Sequence, residues 1–160
     1  MNVEIDTFRP EHARGFGALN REWLELYHLM EPSEEEQLAN PQKYFIEGGG
    51  QIFVALDHDR VIGTCAVMPH GVGEVEVAKL TVATEYRGQG IARRLVERCI
   101  AYAQASGARR VMLVSNSQLQ GALRLYESMG FRYCPVPEDT QYEIADTCMI
   151  LDLDSTQRGA

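Results

Sequence analysis

The sequence has little that would let metal or disulfide chemistry organise it. Its four cysteines, Cys65, Cys99, Cys134 and Cys148, stand far apart, with no CxxC pair and no histidine at ligand spacing. Each falls in a segment that otherwise reads as core strand or helix, so buried reduced thiols are expected and no metal is. No run approaches the ~18 apolar residues of a membrane span. The start, "MNVEIDTFRPEHARGF", has neither a basic n-region nor an apolar h-region. A soluble, cytoplasmic protein with no membrane partner is the expectation. A basic excess is missing too: 15 Lys and Arg face 23 Asp and Glu, a formal charge of −8 that argues against a general nucleic-acid binder. Two common phosphate cradles are absent, since there is no GxxxxGK[ST] and no GxGxxG after the first strand.

What is present suits one domain. At 160 residues and 45% hydrophobic content the chain can bury one core and is too short for two ordinary ones. Residues 1–154 are expected to form that domain, and residues 155–160, "STQRGA", a disordered polar tail. Charge is unevenly spread: residues 1–50 carry ten acids against four Lys or Arg, whereas residues 87–110 carry six arginines against the single acid Glu97. The second region suits a phosphorylated ligand and the first a cationic or amine ligand.

The pattern predicts a strand at "VEIDTF", then a helix with Pro10 in its first turn and Phe16, Leu19, Trp23, Leu24 and Tyr27 on one face. A second short helix is expected at "SEEE", read as a capping box with Ser33 as the cap. Three β-rich runs, "QIFVALD", "VIGTCAVMP" and "EVEVAKLTV", are joined by the turns "DHDR" and "HGVG" and read as an antiparallel meander. Ile91, Leu95, Val96, Cys99 and Ala103 then repeat at helical spacing until Gly107. "RRVMLVS" is a buried strand, "LQGALRLYESMGF" a helix stopped by Gly130, and "FRYC" and "TCMILDL" two closing strands. The fold class is mixed α/β.

One junction stands out. The strand ending at Val82 runs through "ATEYRGQG" into a helix whose first turn has free N–H groups, and Gly88 and Gly90 let backbone approach a ligand that a side chain would block. Arg87, Arg93 and Arg94 and the helix dipole add positive potential. These are the marks of a phosphate cradle; the plain alternative is a glycine-rich turn with surface arginines.

Arg87, Gly90 and Ala92 match the Q/R-x-x-G-x-G/A signature of the GNAT (GCN5-related N-acetyltransferase) superfamily, and "LQGALRLYESMGF" resembles its A-x-x-L-Y-E-x-x-G-F landmark. The order of elements is similar over nearly the whole chain. The resemblance implies the GNAT fold: a mixed central sheet of about six to seven strands flanked by about four helices, with a splayed V between the fourth and fifth strands. It implies acetyl-CoA as acyl donor and no metal. Backbone N–H groups of Arg87, Gly88, Gln89, Gly90, Ile91 and Ala92 would hold the pyrophosphate, and the pantetheine arm would pair with Leu80, Thr81 and Val82. The Leu80 N–H would donate to the thioester oxygen.

By the same resemblance Tyr126 is the general acid, or a donor to the sulfur, and Glu76 the base, directly or through a water. Tyr126 also reads as a core aromatic, and Glu76, with Glu74, as the solvated face of an alternating strand. Family members often carry Asn seven residues before the helical tyrosine; here that position is Leu119, and Asn116 lies ten before it. Lys79 reads either as a ligand for an acidic substrate group or as a solvated bulge residue. Acceptor walls are expected from Trp23, Tyr27, His28 and Glu31 and from "PVPEDTQYE". The implied activity is N-acetyl transfer to the primary amine of a small molecule or peptide in a ternary complex, with a homodimer allowed and no nucleic-acid partner. Acetylation of a protein N-terminus or lysine, and a CoA-binding module without turnover, are the alternatives.

Overall fold

The β-branched runs pair as their periodicity predicts. The structure, a computed structural model, describes residues 2–138, 140 and 145–153. In chain order they form β1 (Val3–Thr7), α1 (Ala13–Leu26), α2 (Pro32–Ala39), β2 (Gln51–Asp57), β3 (Arg60–Pro69) and β4 (Glu74–Val82). There follow α3 (Ile91–Ala105), β5 (Arg110–Ser115), α4 (Gln120–Ser128), β6 (Arg132–Cys134) and β7 (Thr147–Asp152). The sheet runs β1-β2-β3-β4-β5-β7-β6. Strands β2 to β4 are the expected antiparallel meander, which β1 extends by pairing antiparallel with β2; β4 and β5 are parallel, and β7 lies antiparallel to β5 and β6. Among the described residues no helix is long and apolar enough to cross a membrane.

Alternation along the strands gives each sheet face its own core. One face meets α3 and α4, where Cys65, Val67, Val77, Leu95, Val96, Cys99, Leu123 and Tyr126 interlock. The other meets α1 and α2, with Phe16, Leu24, Leu38, Phe45, Ile52, Val54 and Ala66. Fully buried side chains of this size contribute roughly 1.5–3 kcal/mol each by leaving water, so both helical layers are held by packing. All four cysteines are free, and the Cys134 and Cys148 thiols face each other across the β6–β7 ladder. Burial pushes the Cys148 thiol up to about 12.

The start of α2 differs from expectation. The residue before the helix is Glu31, in an extended conformation, and Pro32 takes the first helical position. A proline there has its φ preset and no N–H to satisfy, so Ser33 is drawn inside the helix, where its Oγ is buried without a hydrogen-bond partner among the described residues. A π-helical turn at Gln42–Ile46, unsignalled by periodicity, buries Phe45 ahead of β2. The predicted tail at 155–160 and much of "PVPEDTQYE" lie outside the described residues.

Candidate active site

Strands β4 and β5 start together and then part. Their parallel register covers Glu74↔Arg110, Val75↔Val111 and Glu76↔Met112, while β4 continues to Val82 and β5 to Ser115. The divergence begins beside a β-bulge in β4. Opposite β3, Thr64 pairs with Thr81 and Ala66 with Ala78, so Cys65 alone faces both Lys79 and Leu80. Lys79 takes the left-handed conformation, φ 60°, that lets the strand absorb the extra residue. Such a φ is costly for a residue with a Cβ, and the surroundings secure it. The Lys79 carbonyl accepts a hydrogen bond from the Thr64 hydroxyl at 2.7 Å, and that hydroxyl accepts from Asn20 Nδ2 at 3.1 Å. Asn20 is itself tied to the Phe16 carbonyl of α1 at 2.9 Å.

The parted strands open a cavity of about 100 Å³ lined by Trp23, Leu29, Glu34, Glu76, Lys79, Leu80, Asn116 and Tyr126, among others. A larger cleft of about 430 Å³ adjoins it, sharing Trp23, Leu80, Leu119 and Ala122 and reaching past Thr81 and Val82 to Arg87 and Ala92. Between Arg87 and Ala92 in the chain, Gly88 and Gly90 have φ of 77° and 78°. Gly90 precedes α3 directly, and a Cβ added at either glycine meets no atom within 4 Å. The backbone is therefore approachable there, and the first amides of α3 face outward.

Each flanking arginine makes a hydrogen bond to the fold. Arg87 Nε donates to the Val82 carbonyl, Arg93 to Ser128 Oγ and Arg94 to the Val3 carbonyl.

Glu76 is 6% exposed, so it is not on a solvated strand face. Burial pushes its carboxyl above the ordinary carboxylate range, with His70 and Lys79 pulling the other way. Glu74 does take the outer role, held by His70 Nδ1 at 2.6 Å. Lys79 is buried and its ammonium pairs with Glu34 of α2. Desolvation lowers its pKa and Glu34 opposes that shift. Lys79 is thus neither a solvated residue nor an open receptor for an acidic group. Tyr126 is buried beside Phe131, their ring centroids 5.5 Å apart. Burial raises its pKa above the ordinary phenol value, and none of the described residues hydrogen-bonds its hydroxyl. It packs in the core and also lines the cavity.

Asn116 borders the cavity and Leu119 borders both spaces. Glu34, Asn20 and Thr64 were not marked by the sequence. The Glu-rich run gave no sign of which carboxylate turns inward, and a polar residue in an apolar strand, Thr64 in "VIGTCAVMP", was the one available hint.

The profile of the acetyltransferase (GNAT) family matches residues 17–131. N-acetyltransferase family 8 member 2 of Rattus norvegicus is 29% identical over 115 residues, 69% of this chain and 51% of that protein. The chain thus spans about half the length of the first curated relatives it matches. An uncharacterised N-acetyltransferase of Schizosaccharomyces pombe is 32% identical over 136 residues, covering 82% of this chain and 83% of its own. A GNAT-family acetyltransferase from Staphylococcus aureus Mu50 superposes with a TM-score of 0.87 at 16% identity, over 96% of this chain and 100% of that one. A Salmonella typhimurium protein solved with its cofactor acetyl-CoA gives 0.72 at 21%, over 96% and 95%. At such identities the structural likeness is one of fold.

Proposed function

We propose that this chain, which belongs to the GNAT acetyltransferase family, is a cytoplasmic enzyme that moves an acetyl group from acetyl-CoA to the primary amine of a small molecule or peptide. Attack is direct, in a ternary complex, with residues 1–154 as the catalytic domain. The observation that carries this reading is the convergence of Glu76, Leu80 and Tyr126 on one cavity, at the point where the sheet parts, beside a cleft that reaches Arg87 and Ala92 at the N-terminus of α3.

The residues present fit acetyl-CoA. The space above Gly88 and Gly90 is open, so backbone N–H groups from Gly88 to Ala92 can close on a pyrophosphate, whereas the Arg87 N–H is already held by the Thr84 carbonyl at 3.2 Å. Beyond Glu76, β4 has left β5, and the stretch from Leu80 to Val82 can pair with an extended pantetheine arm. Bound acetyl-CoA supplies the acyl thioester. The chain supplies three groups around it. Leu80 N–H donates to the thioester oxygen, where negative charge develops. Glu76, whose burial raises its basicity, takes the proton from the attacking amine directly or through one water. Tyr126, kept as a neutral phenol by burial, donates to the departing sulfur.

The acceptor end carries two carboxylates, Glu34 and Glu76, against one ammonium, Lys79, beside Trp23, Leu24 and Leu29. This excess of negative charge in a cavity of about 100 Å³ supports a slender cationic amine over a folded protein surface. The test is a panel of primary amines with acetyl-CoA, following thiol release. Acceptor-dependent release with an acetylated amine in the product supports the reading. Tight acetyl-CoA binding without turnover on any amine would favour a CoA-binding module, and no acetyl-CoA binding would sink both.

A further inference from the structure

The peptide group between Lys79 and Leu80 links two observations. A trans peptide is planar, so its C=O and N–H point in opposite directions. The C=O of this peptide is held by the Thr64 hydroxyl at 2.7 Å. The N–H is therefore aimed away from Thr64, whose strand lies on one side of β4 while the gap opens on the other. Thr64 has only one hydroxyl hydrogen, and Asn20 settles where it goes. Asn20 Nδ2 is a donor and occupies a lone pair of Oγ1 at 3.1 Å, which leaves the Thr64 proton for the Lys79 carbonyl. Both side chains are fully buried, away from competing water. A carbonyl that accepts a hydrogen bond polarises its peptide and makes the N–H of that group a stronger donor.

We propose that Thr64, oriented by Asn20, is a positioning residue for acetyl transfer: it aims and polarises the Leu80 N–H by holding the Lys79 carbonyl. This rests on the reading of Leu80 N–H as the donor to the thioester oxygen. Thr64 touches neither acetyl-CoA nor acceptor, and its effect passes through one peptide plane. The ion pair from Lys79 to Glu34 secures the side chain of the same bulge residue from α2. The left-handed turn at Lys79 is thus braced from two helices.

The experiment uses acetyl-CoA labelled with ¹³C at the thioester carbonyl and reads its infrared stretch when bound to wild type, Thr64→Val and Thr64→Ser. In wild type the band is expected to move to lower frequency than in free acetyl-CoA, reporting the Leu80 hydrogen bond. In Thr64→Val it should move back, with the acetyl-CoA Kd within about threefold of wild type. Turnover on the best amine of the panel should fall about 10- to 100-fold, the scale of a mis-set group about 1 Å from its place. Thr64→Ser keeps the hydroxyl and should restore band and rate. Should Thr64→Val not fold, Thr64→Cys keeps a similar shape with a far weaker donor and gives the same two readouts. A wild-type shift that persists in Thr64→Val overturns the role of Thr64 while leaving the Leu80 donor intact. A wild-type band equal to that of free acetyl-CoA overturns the donor and, with it, the positioning role.

Discussion

Glu76 and Met112 form the last rung of the parallel ladder between β4 and β5. One residue further along β4 the strands are no longer paired, so the Glu76 carboxylate stands at the apex of the opening, buried yet bordering the cavity.

That placement makes Glu76→Gln informative twice. If the carboxylate is the base, chemistry slows by roughly 10²-fold or more. The wild-type rate should also rise with pH through a value above the 4.5 of an ordinary glutamate, and that rise should be lost in the variant on the same substrate. Stability moves oppositely. Because the folded pKa is raised, the folded state binds the proton more tightly than the unfolded one, and stability falls as pH rises from the unfolded to the folded value. Urea titrations should show Glu76→Gln equal to wild type well below pH 4.5 and more stable than wild type at neutral pH. A variant with unchanged rate and unchanged pH profile would return deprotonation to water or to the acceptor's own equilibrium.

Gly90→Val tests the cradle. The left-handed φ of 78° suits glycine, and a β-branched residue there should cost about 1–2 kcal/mol or more in stability. The added side chain also projects into the open space over the loop. Acetyl-CoA binding is expected to weaken by more than about tenfold, or ~1.4 kcal/mol. Calorimetric titration returning the wild-type affinity on a folded variant would move the pyrophosphate elsewhere.

If the Tyr126 hydroxyl donates to the departing sulfur, Tyr126→Phe should lower kcat far more than it weakens acetyl-CoA binding, since that charge appears only as the sulfur leaves. Burial raises the phenol above its ordinary 10.0, so the wild-type rate should show no descending limb from this group below that pH. An unchanged kcat on a good substrate would leave Tyr126 as a packing residue alone.

Lys79→Met strands the Glu34 carboxylate in a buried setting. Removing one partner of such a pair typically costs about 3–5 kcal/mol, whereas replacing both with apolar groups is often near neutral. Thermal melts should therefore show a large drop in Tm for Lys79→Met and recovery of most of it in Glu34→Leu/Lys79→Met. A double variant as unstable as the single one would show that the bulge needs the charges themselves.

What sequence alone determined is whatever depends on local order. Alternation placed β2, β3 and β4, helical spacing placed α3 and α4, and the glycines at 88 and 90 marked the strand-to-helix junction, because each signal lies within one turn or one pleat of the backbone. Tyr126 could be singled out by its motif and read as an inward aromatic, and Glu76 by its strand position, but the burial of Glu76 could not be read. Ser33 misled, because a capping-box pattern cannot show that a neighbouring proline takes the first helical position. The role of Lys79 needed Glu34, 45 residues earlier in the chain, and the bulge needed Thr64 and Asn20 from β3 and α1. Those pairings arise only when the meander folds back on itself and α1 and α2 close over one face. Burial then decides which carboxylate must find an ammonium, which must pay to stay charged, and which hydroxyl is left to hold the backbone.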